Sequence, residues 1–288
     1  MWKVLHHWGL PLFGCICWWG MLIALMVCWA VQGHPRYYFV NPNKDILFIS
    51  DVAATNLQPI FIALCCVQAL CYVLTVISER YLRHAGRLLP NWRQREKVMA
   101  GLAIGFGIIG QLGIVFVSIF NTHVFKKVHA SMLGVFLVGT AISALCTIAE
   151  FALLDWSYTE VNRLRISYIC KGCWFVVALA LTLGFLICQK VDKENAAAVM
   201  EWCLAFSYGF YLMTLVYDLL PAAKTKKGQL FEQKLDHQLT NAVSWVPGVQ
   251  VLPEEPSINP SAEMRENNSS HVGENIMMHR QSHPRDFV

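Results

Sequence analysis

Six uninterrupted apolar blocks constrain this chain more than any other feature of its sequence. They run roughly over 9–32, 57–78, 98–120, 130–154, 168–188 and 197–219, each near the ~20 residues that a helix needs to cross ~30 Å of hydrocarbon. Apolar side chains fill every side of each block instead of recurring at a helical period, as expected of helices that face lipid all round. Inside hydrocarbon the backbone must satisfy its own polar groups, so each block is read as a helix. Composition agrees. Of 288 residues, 56% are hydrophobic and 15% charged, too apolar a balance for a water-soluble helical domain of this size. The expected architecture is an all-α membrane protein: a six-transmembrane-helix bundle over residues 1–220, then a tail over 221–288.

The first block is read as a retained span. Leu10 to Val31 carries no charge, exceeds the h-region of a signal peptide, and ends in Gln32-Gly33-His34-Pro35 without a small-x-small cleavage site. Orientation follows from Lys and Arg in the short connections, because positive residues resist translocation. Arg80, Arg83, Arg87, Arg93, Arg95 and Lys97 crowd the second connection; Arg163, Arg165 and Lys171 mark the fourth, and Lys224, Lys226 and Lys227 the tail. The other connections hold only Arg36 and Lys44, Lys126 and Lys127, Lys190 and Lys193. Both termini are therefore expected in the cytosol. The basic residues of the second connection and tail are expected to contact anionic inner-leaflet lipids, not nucleic acid. Within the tail, Phe231, Leu235, Leu239 and Ala242 or Val243 recur at helical spacing, which predicts an amphipathic helix over 229–246. Beyond it the polar, proline-rich composition predicts disorder. The two overlapping sequons at Asn267 and Asn268 would stay bare on the cytosolic side.

Ionisable groups at membrane depth are costly and mark functional candidates. The topology sorts them into two layers. Asp51, His129 and Glu201 fall on the outer side, as a lipid-headgroup or proton site or as interfacial caps paired with Lys126 or Lys127. Glu79, Glu150, Tyr211 and Asp218 form an inner polar layer near Arg80, Arg83 and Arg163, as a site or as ion pairs between helix ends. Glu201 and Asp218 lie seventeen residues apart on one helix, about 25 Å at ~1.5 Å per residue, and cannot share a site. Gln68 and Gln111 fall at mid-membrane, where they are expected to bond between helices. Gly101 and Gly105 stand in GxxxG register, for close packing inside the bundle or across a homodimer.

Nearly all of the eleven cysteines lie in the spans, where cysteine acts as a small apolar side chain. A lone Cys170-Lys-Gly-Cys173 is weak grounds for a metal, and S-acylation fits its interfacial position equally well. No metal site and no cofactor are expected. The chain has no phosphate-binding glycine loop, nucleophile elbow or HExxH.

Three stretches carry a family resemblance. They are DILFISDVAATNLQPIFIALCCVQAL, VHASMLGVFLVGTAIS, and AAAVMEWCLAFSYGFYLMTLVYDLLPA with Glu201-Trp202, Tyr211, Thr214 and Tyr217-Asp218. Together with the basic second connection they resemble the six-span family that joins the damage-regulated autophagy modulators, the fungal "suppressor of four kinase" proteins and the GPI-remodelling relatives. The Asp-Leu-Leu-Pro-Ala ending is most similar to the fungal branch. The resemblance implies a plasma-membrane or endomembrane protein that promotes phosphatidylinositol 4-kinase action and affects lipid distribution between leaflets, without assigning catalytic residues. Three readings follow. The first is a non-enzymatic organiser that binds lipid and recruits a phosphatidylinositol 4-kinase complex. The second is a lipid or GPI-anchor remodelling enzyme, or its accessory subunit, using His129 with Asp51 or Glu201. The third is a transporter or channel.

Overall fold

The computed structural model describes residues 7–41, 44–91, 93–157 and 162–231. By internal contacts the chain divides into a unit over Met1–Gln233 and a second over Lys234–Val288. The second lies outside the described residues, as do most of the predicted helix over 229–246, the region of predicted disorder and the two sequons.

Six long helices are candidate membrane spans: α1 (Gly9–Val31), α3 (Gln58–His84), α4 (Gln94–Ile119), α5 (Lys126–Ser157), α6 (Asn162–Lys190) and α7 (Glu194–Leu219). A short helix, α2 (Ile49–Ala53), lies in the first connection, and a 3-10 turn, Leu220–Ala223, follows α7. Several helices overrun their apolar blocks because hydropathy ends at the hydrocarbon edge while hydrogen bonding continues. Thus α3 runs on through Glu79 and Arg83. It ends where Gly86 takes φ +63° and the Arg87 N–H bonds back to the Leu82 carbonyl, a left-handed stop that a residue without Cβ adopts readily.

Each long helix packs on its neighbours in the chain, and α1 closes the ring against α7. Lipid tails solvate apolar side chains as well as a core does, so close backbone approach and interhelical hydrogen bonds hold such a ring together. Both are present. Trp18 and Trp19 of α1 donate their indole N–H groups to the Ala205 and Phe206 carbonyls of α7 at 2.7 and 3.0 Å. Where α4 meets α5, a Cβ on Gly139 would lie 2.7 Å from Gly110 Cα, and one on Gly113 would lie 2.6 Å from Phe136 N. Gly101 and Gly105 do not serve this contact: a Cβ on either would meet nothing within 4 Å. The internal packing face of α4 is therefore Gly107, Gly110 and Gly113, turned away from the GxxxG pair. Phe136 and Thr140 of α5 fill it, which removes the glycine-lined helix as grounds for a conduction path.

The ring is uneven. The apolar window of α6 is 11% buried, against 33–44% for the other five. α6 is thus the most lipid-exposed wall, and the space behind it becomes important at the end of the bundle opposite the basic second connection.

Candidate functional site

At that end the first connection folds onto α7 through its backbone. Asn195 Oδ1 accepts the Asp45 and Ile46 N–H groups at 2.9 and 3.2 Å, Glu201 Oε2 accepts the Ile49 N–H at 3.0 Å, and Trp202 Nε1 donates to the Leu47 carbonyl at 3.0 Å. The segment buries its backbone groups only because α7 supplies these partners. Asp51 caps α2 by accepting the Phe48 N–H at 3.3 Å, the N3 half of a capping box. The same carboxylate takes Lys44 Nζ at 2.7 Å, and Thr122 Oγ1 reaches its other oxygen at 3.4 Å. Lys44 is 4% exposed, and its ammonium lies 3.4 Å from the centroid of the Phe48 ring. A buried ammonium is tolerated where a carboxylate and an aromatic face compensate it together. Lys126 and Lys127 are exposed, so the counter-ion of this layer is Lys44, not either of them. His129 Nδ1 lies 2.8 Å from the Phe120 carbonyl; a carbonyl only accepts, so the proton is on Nδ1.

Asp51, His129 and Glu201 line one cavity of about 460 Å³ together with Lys44, Ser50 and Thr122. None of the three hydrogen-bonds another, and each is already held by a partner. A second cavity, about 260 Å³, runs deeper between aromatic side chains that include Trp18, Phe136, Trp174 and Tyr208. Ser50, His129, Leu133, Leu137, Phe185 and Glu201 line both, so the two form one cleft with a polar mouth and an apolar interior, walled on one side by α6.

The inner layer is built differently. Arg83 donates through Nη2 to Glu79 at 2.7 Å and through Nη1 to the Leu89 carbonyl at 2.9 Å, with its Nε 3.5 Å from Glu150. Lys171, 0% exposed by side chain, donates to Asp218 at 2.5 Å and to Ser167 at 2.6 Å, and Ser167 donates to the other Asp218 oxygen at 2.5 Å. Phe151 lies beneath both cations, with the Arg83 and Lys171 head groups 4.9 and 4.7 Å from its ring centroid. Arg83 is consequently unavailable as an anionic-lipid contact. Arg87 is also committed, to the Ala222 and Thr225 carbonyls. Of the other basic residues expected at the lipid surface, Arg80 is half-buried, while Arg93, Arg95, Lys97, Lys224, Lys226 and Lys227 are exposed.

Tyr211 belongs to neither layer. Its hydroxyl meets that of Tyr72 at 3.4 Å, Tyr72 meets Ser143 at 3.0 Å, and Trp174 stacks on the Tyr211 ring at 4.4 Å. Nearby, Gln68 and Gln111 donate to the Tyr208 hydroxyl at 3.1 and 3.0 Å. Tyr211 thus belongs to a mid-membrane hydroxyl and amide cluster that ties α3, α4, α5 and α7 together. Sequence reasoning missed Lys44 and Lys171 as buried partners. Lys171 carried a usable signal, since it falls inside the predicted fifth span. Lys44 carried none, because only the folding of the first connection buries it.

Among the described residues no group of His, Cys, Asp and Glu is arranged to hold a metal ion. Cys170 and Cys173 are exposed.

Residues 6–222 match the family described as the Frag1/DRAM/Sfk1/Cwh43P N-terminal domain. The chain belongs to that family. Among curated relatives of the Frag1/DRAM/Sfk1/Cwh43P group, it is 29% identical to protein SFK1 of Saccharomyces cerevisiae, over 77% of this chain and 80% of that one. It is 26% identical to protein sfk1 of Schizosaccharomyces pombe, over 74% of this chain and 63% of the relative. No solved structure matches the chain. Membership in the Frag1/DRAM/Sfk1/Cwh43P family and six apolar helices identify an integral, multi-pass membrane protein of the Sfk1 kind.

Proposed function

We propose that this protein is a non-enzymatic organiser of membrane lipid. It holds an amphipathic lipid in the cleft at the end opposite the basic connection, with a headgroup among Lys44, Asp51, His129 and Glu201 and a chain against Trp18, Phe136 and Trp174. The observation that carries the reading is the joining of a polar cavity to an apolar one through six shared lining residues, since an amphipathic ligand needs both surfaces in register. At the basic end, exposed Arg93, Arg95, Lys97 and the tail lysines supply the attraction for anionic inner-leaflet lipid and for a phosphatidylinositol 4-kinase complex. In this reading the membrane is the plasma membrane and both termini are cytosolic.

The test is lipid retention. Leu137→Trp fills the junction of the two cavities and is expected to strip co-purifying lipid from the detergent-solubilised protein, as read by lipid mass spectrometry. Unchanged lipid content would sink the cleft assignment. The kinase part is tested separately: removal of 221–288 should lower phosphatidylinositol 4-phosphate in cells with surface expression intact, and an unchanged level removes it.

A second reading, a lipid or GPI-anchor remodelling enzyme, draws on one observation: Asp51, His129 and Glu201 are among the ionisable side chains that line the same cleft. It predicts that purified protein turns over a lipid substrate and that alanine at Asp51, His129 or Glu201 abolishes turnover without unfolding.

A further inference from the structure

The basic connection does more than coat a surface. The last turn of α3 sets Arg80 and His84 four residues apart, hence on one face. The chain reverses at Gly86, and the first turn of α4 brings Lys97 back toward them. With Arg83, Asn91 and Phe231 these residues line a cavity of about 200 Å³. That is below the roughly 300–1,000 Å³ of sites for drug-sized ligands and suits a headgroup-sized one.

Its chemistry is specific. Among the described residues, every titratable side chain on its wall is basic. Arg83 is consumed by Glu79, Glu150 and Leu89, but Arg80 and Lys97 make no ion pair among the described residues. Counting the two carboxylates behind the wall against Arg80, Arg83 and Lys97 leaves a surplus positive charge at the mouth. The cavity therefore attracts an anion.

Asn91 adds a second requirement. Its Nδ2 donates to Glu150 at 2.6 Å, while its Oδ1 is buried without a partner among the described residues. In this orientation the amide nitrogen serves Glu150 and the oxygen is left to accept. The ligand must then bring a hydrogen-bond donor as well as negative charge. A cationic donor, such as the ammonium of a serine or ethanolamine headgroup, would meet Arg80 and Lys97. A hydroxyl would not.

Phe231 forms the last wall. The chain after α7 is pinned to the connection by the Gly228 N–H on the Ala85 carbonyl at 2.9 Å and the Leu230 N–H on the Gly86 carbonyl at 3.1 Å. The Phe231 ring then lies on Gly86 so closely that no Cβ would fit there.

We propose that this cavity binds a phosphorylated polyol, with its phosphate on Arg80 and Lys97, a hydroxyl donating to Asn91 Oδ1, and Phe231 against its ring. An inositol phospholipid and a soluble inositol phosphate both present that chemistry. The assignment deepens the phosphoinositide part of the proposed function at a site separate from the cleft.

The test uses the full-length protein in phosphatidylcholine nanodiscs. Phosphatidylinositol 4-phosphate or phosphatidylserine is added at matched charge and read by native mass spectrometry, and soluble inositol 1,4-bisphosphate is titrated by calorimetry. R80Q/K97Q is expected to weaken binding about tenfold or more, the loss of two charge-assisted contacts. K190Q/K193Q removes equal charge from exposed positions at the other end of the bundle and should cost about twofold or less. Binding of both probes, or of the lipid alone, supports the site and distinguishes a free ligand from a membrane-borne one. Equal binding of phosphatidylserine, equal losses from the two double variants, or no binding of either probe overturns it. Unfolding temperature checks each variant, and H84Q/K97Q replaces the first pair if that pair does not assemble. Intact binding with unchanged cellular phosphatidylinositol 4-phosphate on tail removal would remove the kinase reading and leave this site standing.

Discussion

The two ends of the bundle bury charge in comparable amounts and for different ends. Opposite the basic connection, Lys44 and Asp51 pair at 2.7 Å with side chains 4% and 11% exposed, beside about 460 Å³ of open cavity. At the basic end, Lys171 and Asp218 pair at 2.5 Å with side chains 0% and 2% exposed, and neither borders the cleft or the cavity beside Arg80 and Lys97. Burial and pairing therefore do not distinguish a site from structural glue. Room does. A charged pair packed into contact orders helices, whereas the same pair on a cavity wall faces whatever fills the cavity.

The sharpest way to break this comparison is at Lys171. Lys171→Ala leaves Asp218 buried without its counter-ion and should destabilise the protein by about 3–5 kcal/mol. Lys171→Met with Asp218→Leu should recover most of the loss, because an apolar pair of similar volume needs no compensation. Chemical or thermal unfolding in detergent reads both. A single variant that unfolds like the parent would show that the inner layer is wetter than its packing implies.

Lys44→Ala probes the opposite end. Asp51 keeps the Phe48 N–H and Thr122, and the cavity gives solvent access to the oxygen that Lys44 leaves. The expected loss is about 1–3 kcal/mol, that of an unmade hydrogen bond to a charged group. A loss as large as at Lys171 would place the pair with the structural ones and erase the distinction between the two ends.

How far this was legible in the sequence depends on the residue. The six spans were legible because hydrocarbon leaves no alternative to long apolar helices. Their ends were less so: Glu79 and Arg83 pair at i,i+4 on a helical extension that hydropathy does not register. Asp51, His129 and Glu201 could be assigned to one end from topology alone, and the structure brings all three to one cavity. Charge counting treats every basic residue alike, so Arg83 and Lys171 registered as surface charge, although burial and pairing make them structural. Tyr72 and Tyr208 gave no signal, since a tyrosine in an apolar block shows its hydroxyl partner only once the neighbouring helix is in place. The internal face of α4 was misread because five glycines in one helix offer more than one small-residue face, and only the position of α5 selects among them.

Glu201 gives the smallest expected change in stability and the finest separation of the two roles. Glu201→Gln keeps an amide oxygen to accept the Ile49 N–H, so the fold should change by about 0.5–1.5 kcal/mol at most. If Glu201 serves only to pin the first connection to α7, lipid retention should follow stability and stay near parental. If the carboxyl group faces a bound headgroup, as the cleft reading requires, replacing it with an amide while keeping its hydrogen bond should alter which headgroups co-purify. Lipid mass spectrometry of Glu201→Gln beside Glu201→Ala separates these cases. Both variants remove the carboxyl group from the cleft, but only the alanine also releases the Ile49 N–H. A shift in headgroup composition common to both variants would assign the carboxyl group to the ligand, whereas a shift confined to the alanine would assign the residue to the fold.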